Sequence, residues 1–569
     1  MWSLIRGSVT AQRGYRKYLQ SRRAPHVPNW EDVLARDRQR WTEALKVART
    51  GARILIATTT GGHPSSPVME SLLAAALTLR GADVHFLLCD SFLPACLIAE
   101  TRLMAPAQFA HEGPQGYFCT GCFQHGNSIY KPLGLPVHRF SEFVSADDIN
   151  AAAEVSSTVA CDDIRGYVAD GIALGEHAAA GALRFFARAD ITGQRHADAV
   201  QRRYLEAAIL SRIVARNLLE AHRFDVVCLN HALYVPQGII AAVARAEGAR
   251  VAAWNVAYRK QSFIFSHGET YHHTLMTEPV SAWEDMTWSP EHERDIMEYL
   301  NSRRSSGRDW IAFQDKNPEE NLASIMASLG VSPAKPVIGL LTNVAWDAQL
   351  HYPANAFPDM IDWVTKTIRY FVSRSDLQLI IRVHPAEISG GIRSRQPVVE
   401  EIRRAFPELP GNVAVIPPES RIGTYAVMEA CDAVIIYGTK TGVELTSLGI
   451  PVIVAGEAWI RNKGVTIDAS SATDYFRILD RLPFGRRMSA EMITRARKYA
   501  YHFFFRRMIP VTQVAPTGLK EPQFRVNLSG LEDLLPGRSL GLDVICDGIL
   551  KGTPFQYPAE QRGVVGDGR

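Results

Sequence analysis

The sequence predicts an α/β protein made of two doubly wound, Rossmann-like domains that face each other across a cleft. Short apolar runs bounded by turn residues read as buried parallel strands. They alternate with helical patterns in the order strand, loop, helix, strand. The rhythm stops once and restarts within 569 residues, a length beyond one ordinary hydrophobic core.

Taken in order, residues 1–50 read as a helical lead-in. Residues 53–58 form the first strand-like run, and the turn-like stretch Thr60-Gly-Gly-His-Pro-Ser-Ser-Pro67 follows. A helical pattern runs through Leu72, Leu73, Ala76 and Leu79, Gly81 ends it, and 83–89 is a second strand. Residues 110–220, rich in Ala and Arg, read as a helical insertion or flank. Strand patterns return at 225–230 and 250–255, which completes a first domain over 51–289. Residues 290–335 read as a helical connector. Strand patterns at 336–342, 377–383, 413–416, 433–437 and 451–455 define a second domain over 336–480. Residues 481–569 begin helically and end in loops bearing Gly and Pro. In such sheets ligands bind beyond the carboxyl ends of the strands.

The composition, 47% hydrophobic and 21% charged with a formal net charge of +3, is that of a globular chain and gives no footing for nucleic acid as a ligand. Charge is uneven at the start: Arg6, Arg13, Arg16, Lys17, Arg22 and Arg23 precede the first acid, Glu31, and alternate with Trp2, Tyr15 and Tyr18. This reads as a solvated terminus or as peripheral contact with anionic lipid of the inner membrane. No continuous apolar stretch marks a signal peptide or a membrane span, so a cytoplasmic protein is expected. Eight cysteines, at 89, 96, 119, 122, 161, 228, 431 and 546, do not form a disulfide framework in a chain this long. Cys119-Thr-Gly-Cys122, with His111 and His125 nearby, is half a zinc site without a second pair. These cysteines read as buried thiols, and no metal is expected.

The sharpest motif is Tyr437-Gly438-Thr439-Lys440-Thr441-Gly442-Val443-Glu444. A strand ends in a small-residue turn where a helix begins, and its free N–H groups favour a phosphate. Thr439 and Thr441 add hydroxyls, Lys440 adds charge, and Glu444 is placed to accept hydrogen bonds from ribose hydroxyls. The plain alternative is a capped helix with a favourable first-turn acid. In Arg382-Val-His384-Pro385 the histidine, at a strand end, is expected to stabilise a leaving phosphate. Arg382 is grouped with the donor site, although alternation along a strand can turn it away. Arg461 and Lys463 read as a clamp on a diphosphate or carboxylated sugar, or as a basic surface loop.

The first domain is expected to hold an acceptor. A base that takes a hydroxyl proton is sought there, with His63 first, Glu70 second and Glu269 as a further candidate; His63 also suits a helix cap. His231, Tyr234, Tyr258 and His267 follow strand ends and combine aromatic faces with polar tips, as acceptor binding requires. Packing is the other reading for Tyr258.

The run Gly438-x-x-x-Gly442-x-Glu444-x-x-x-Leu448-Gly449-x-Pro451-Val-Ile-Val-Ala-Gly456 and the His384-Pro385 pair resemble motifs of the capsule-polysaccharide biosynthesis proteins, which include Kdo transferases. That family's turn is nearer Ser-Ser-x-Gly-x-Glu-Ala; this chain has Thr439 and Thr441 there, and Leu445-Thr446 after the acid. The resemblance spans 51–480 in organisation, with its motifs in 231–272 and 382–466. It implies a GT-B type glycosyltransferase that moves sugar from a nucleotide-activated donor to a surface polysaccharide or glycolipid, with no cofactor beyond that substrate. It also implies that His384 approaches the donor phosphate. A polyol-phosphate transferase, a nucleotide-sugar epimerase and a non-catalytic scaffold of glycan assembly stay open as alternatives.

Overall fold

A computed structural model of the chain describes residues 10, 11, 14, 15, 18, 21, 24–101, 103–114, 116–305, 307–311, 313, 317–350, 352–519 and 521–561. The basic N-terminal residues named above, Arg6 to Arg23, lie outside the described residues.

The first sheet contains β1 (Arg53–Thr59), β2 (Asp83–Leu88), β3 (Val137–Arg139), β4 (Val226–Asn230), β5 (Arg250–Val256) and β6 (Ser262–His267). The second contains β7 (Val337–Leu341), β8 (Gln378–Arg382), β9 (Val413–Ile416), β10 (Ala433–Ile436), β11 (Val452–Val454) and β12 (Ile467–Asp468). β13 (Ile509–Pro510) returns to the first sheet, and β14 (Val514–Pro516) pairs with β15 (Phe524–Val526).

The seven-stranded sheet runs β13-β6-β5-β4-β1-β2-β3, and the six-stranded sheet runs β12-β11-β10-β7-β8-β9. All pairings of the second sheet are parallel, as are those from β3 to β5 in the first; β6 and β13 are added antiparallel. Both sheets therefore reverse direction once, between β1 and β4 and between β7 and β10. A crevice opens at such a switch point, where neighbouring loops diverge to opposite faces. The predicted fold class is the observed one.

Why these segments form strands is plain from burial. β4 is buried at every position, as are the last six residues of β1, and their Ile, Leu, Val and Ala side chains meet helices on both faces. Helices Leu174–Phe186 and Ala197–His222, from the segment read as an insertion, seal one face through Phe185, Tyr204, Leu205 and Leu218. Helix Ser66–Thr78, buried at every position, seals the other.

The end of the chain behaves differently from the expected extension. Helix Ala490–Tyr501 packs on the second domain, and the chain then crosses back to the first. There β13 extends the sheet, while Leu542, Ile545, Cys546 and Ile549 of helix Leu540–Lys551 enter the same core as Ile54 and Phe265. Strands of two or three residues are too short for period-two alternation to register in a sequence.

Among the described residues no helix is long and apolar enough to cross a membrane. All eight cysteines are reduced; Cys119 and Cys122 are half-buried rather than buried. Cys122 Sγ accepts the N–H of Gly62 at 2.9 Å. Gly61 allows that approach, since a Cβ there would lie 2.6 Å from the Cys122 carbonyl oxygen. Among the described residues no group of three or more His, Cys, Asp or Glu is arranged to hold a metal ion.

Candidate functional site

The loops beyond the switch-point strands meet across the interdomain cleft and line two adjoining cavities. One, of about 370 Å3, is walled mainly by the second domain: Thr342, His384, Gly438, Thr439, Lys440 and Thr441. The other, of about 610 Å3, is walled by the first: His63, Arg184, His231, Tyr234 and Tyr271. Tyr258, His272, Trp346, Asp347 and Trp459 line both, so these residues form the partition between them.

On the second-domain side, the backbone N–H of Ala386 donates to His384 Nδ1 at 3.0 Å, and the His384 N–H donates to Thr342 Oγ1 at 3.0 Å. With Nδ1 as acceptor, the proton of the neutral ring sits on Nε2. Burial, then Lys440 and Arg382, lowers the His384 pKa to about 4, so near pH 7 the ring is a neutral donor. Thr439 Oγ1 and Thr441 Oγ1 lie 3.2 Å apart in the turn. Lys440 Nζ is 4.7 Å from the centroid of the Tyr258 ring, a cation–π contact across the cleft.

Glu444 does not reach the cavity. It is 1% exposed, Lys440 Nζ holds its Oε1 at 2.8 Å, Arg303 Nε lies 3.3 Å from the same oxygen, and Tyr425 donates to Oε2. Burial alone would raise its pKa; Arg303, Lys440 and the Tyr425 hydroxyl outweigh that and hold it at about 2. The expected ribose contact is corrected accordingly: both carboxylate oxygens are already engaged, and the residue anchors Lys440. Arg303 also pairs with buried Asp309, to which Tyr299 donates at 2.8 Å. Gly442 faces packing, since a Cβ there would meet Ile436 Cδ1 at 2.6 Å.

Three expected phosphate-binding cations are spent on carbonyl groups. Arg382 borders the cavity, but it donates to the Pro417 and Ser420 carbonyls and to Thr424 Oγ1. Arg461 donates to the carbonyls of Gly456 at 3.1 Å and Ala469 at 2.6 Å. Lys463, 1% exposed, donates to the Glu278 carbonyl at 2.5 Å. These side chains fasten loops and do not form a clamp.

In the first domain, His63 Nδ1 accepts from the N–H groups of Ser65 and Ser66 at 3.3 and 3.1 Å, capping helix Ser66–Thr78. That bonding engages Nδ1 and leaves the ring proton on Nε2, so His63, although it lines the cavity, does not offer Nδ1 as the lone pair of a base. Glu70 is buried under Thr58, Tyr130 (2.9 Å) and Trp254 (3.2 Å), which all donate to it. Burial raises its pKa to about 7, but it lines neither cavity. Glu269 is exposed and lines neither cavity, and His267 stacks on Phe555 and bonds the Thr553 carbonyl oxygen at 2.8 Å. Those expectations for Glu70, Glu269 and His267 are corrected.

His231, Tyr234 and Tyr258 do reach the cleft. Asn255 Oδ1 accepts the Val256 N–H at 2.8 Å, which turns Asn255 Nδ2 toward His231 Nε2 at 3.3 Å. His231 Nε2 is then the acceptor and Nδ1 carries the proton. That Nδ1 is buried and without a hydrogen-bond partner among the described residues.

The residue sequence reasoning missed is Asp347, in the loop after β7. It is exposed within the cleft, and Tyr234 of the first domain donates to its Oδ1 at 2.7 Å. The Tyr234 hydroxyl also accepts the Ala348 N–H at 2.9 Å, so one phenol sets the loop's position. Among the described residues no Lys or Arg pairs with Asp347, and its carboxylate stands where the two cavities join.

The histidines make a pH prediction. Burial, the largest cause for each, lowers His231 and His384 to about 4. An unfolded histidine titrates near 6.5. Each therefore contributes stability that is fully present above about 6.5 and is lost as pH falls from there toward 4. The melting temperature should drop between pH 7 and pH 4.5, and His384→Asn should flatten part of that drop in a pH series of thermal melts.

No protein-family model matches this sequence, and no curated protein matches it. Among solved structures, the chain is similar to a Thermosulfurimonas dismutans KpsC beta-Kdo 2,4-transferase, at 14% identity and TM-score 0.32, covering 51% of this chain and 83% of that one. It is similar to the beta-Kdo 2,7-transferase of the same organism at 11% identity and TM-score 0.29, covering 50% of this chain and 79% of that one. It is also similar to a Neisseria meningitidis UDP-GlcNAc 2-epimerase, at 10% identity and TM-score 0.22, covering 79% of this chain and 96% of that one. At such scores these likenesses decide neither activity nor substrate.

Proposed function

We propose that the protein is a glycosyltransferase that moves a sugar from a nucleotide-activated donor, held by the second domain, to a hydroxyl of an acceptor held by the first. The observation that carries this reading is Asp347, a carboxylate free of cationic partners among the described residues at the junction of two cavities on facing switch points. On the donor side Lys440 supplies charge, and the Nε2–H of His384 supplies a donor to the phosphate as the bond from the anomeric carbon breaks. On the acceptor side, the hydroxyl oxygen attacks the anomeric carbon and passes its proton to Asp347 if configuration inverts. If configuration is retained, the same carboxylate first attacks the anomeric carbon and expels the nucleotide phosphate; the acceptor hydroxyl then displaces the carboxylate and gives its proton to the departed phosphate. The anomeric configuration of the product separates these courses. Tyr258, Tyr271, His272 and Trp459 form an aromatic partition suited to a sugar ring between the sites.

An epimerase on the same architecture needs no acceptor, so the second cavity favours transfer. The sequence resemblance at 382–466 supports a surface glycan or glycolipid as that acceptor, with the reaction on the cytoplasmic side. The test is a thermal-shift series with CMP-, UDP-, GDP- and dTDP-sugars. One of them should raise the melting temperature, since a ligand at 100 times its Kd adds about 2.7 kcal/mol to the folded state. Lys440→Met should abolish the shift. No shift with any donor would sink the donor-site assignment.

A further inference from the structure

The acceptor cavity contains a cation that nothing above uses. Arg184, on helix Leu174–Phe186, is the one Arg or Lys on that cavity's wall among the described residues. One guanidinium nitrogen, Nη1, donates to the Leu97 carbonyl at 2.6 Å, and the group lies 5.4 Å from the centroid of the Tyr234 ring. It has no carboxylate partner among the described residues. Of the acids on the same wall, Glu100 is engaged in another contact, Asp347 is tied to Tyr234, and Glu521 is exposed. A half-buried guanidinium in a concave, partly apolar site is costly to leave without an anion, and its remaining N–H edge suits an oxyanion. His231 adds its N–H at Nδ1, likewise without a partner among the described residues.

We propose that Arg184 and the Nδ1–H of His231 form an anion subsite that grips a carboxylate or phosphate carried by the acceptor. This rests on the transferase reading and specifies its acceptor as an acidic or phosphorylated glycan. Tyr234 links the parts: its ring lies under Arg184 and its hydroxyl holds Asp347. An anion seated on Arg184 is thereby registered against the carboxylate that receives the hydroxyl proton. The helical segment between β3 and β4 supplies Arg184, and the loop after β4 supplies His231 and Tyr234, so two separate parts of the first domain build the subsite.

The test is saturation-transfer NMR with the full chain and three small probes: methyl glucuronide, glucose 6-phosphate and neutral methyl glucoside. The acidic probes should bind at least about tenfold more tightly than the neutral one, the size of one charge-assisted hydrogen bond. Arg184→Met should remove that preference, and Arg184→Lys should restore part of it. Preference for the glucuronide alone assigns a carboxylate, preference for the phosphate alone assigns a phosphate monoester, and preference for both assigns the shared chemistry. Equal binding of all three probes, or a preference unchanged in Arg184→Met, overturns the subsite. The nucleotide-sugar thermal shift, measured on the same variants, separates the two ideas. A retained shift with no anion preference leaves the transferase standing without this subsite, whereas absence of any shift in the unaltered chain removes the transferase reading itself.

Discussion

Asp347→Asn should lower sugar transfer by roughly 10^2- to 10^4-fold, the range for removal of a positioned proton acceptor. The asparagine keeps the size of the side chain and can still accept from Tyr234, but it takes up no proton. In the proposed reading the donor is held by Lys440, His384 and the Gly438–Thr441 turn, which line the second-domain cavity, so the nucleotide-sugar thermal shift should survive the substitution. Transfer lost with binding kept marks a group that acts in the transition state. Transfer within about threefold of the unaltered chain would remove Asp347 from the chemistry, since such a change is far below what a proton acceptor contributes. Tyr234→Phe should have a smaller effect, since Tyr234 positions the carboxylate and the Ala348 N–H but takes up no proton itself.

Arg303→Met should be the most destabilising single change near the site. Arg303 serves two buried carboxylates at once, Asp309 and Glu444, which are 6% and 1% exposed. Removing one partner of a buried ion pair leaves charge without compensation and costs about 3–5 kcal/mol. The urea midpoint of the full chain should fall accordingly. Lys440 still neutralises part of Glu444, so Arg303→Met should destabilise more than Lys440→Met does. The reverse order would show that Lys440, and not Arg303, is the main counter-charge.

The two sheets were legible because period and burial are local properties: β7 and β8 announce themselves as runs of Val, Ile and Leu. The Gly438–Thr441 turn and His384 were legible for a related reason, since a strand end followed by small residues or by His-Pro is a short contiguous pattern. Asp347 had no such pattern. Its significance comes from Tyr234, 113 residues away in the other domain. Arg184 and Arg303 likewise gain meaning only from what the fold sets beside them. The misreadings run the other way. Arg382, Arg461 and Lys463 carry charge at strand ends, which in a sequence suggests a ligand, yet the folded chain spends each on its own carbonyl groups. Glu444 was placed on the right element but assigned an outside partner, because Arg303 lies in a connector that no local spacing joins to it.

The return of β13 and helix Leu540–Lys551 to the first sheet makes the two halves poor candidates for dissection. A fragment cut before residue 490 would bare Phe263, Phe265 and Trp254, which Ile509, Phe524 and Ile545 cover in the intact chain. Such a fragment would present an oily, unpaired sheet margin and would tend to precipitate. Work that assigns donor and acceptor functions to separate lobes must therefore proceed by point substitution in the whole polypeptide, or by splitting the gene where both crossings remain together.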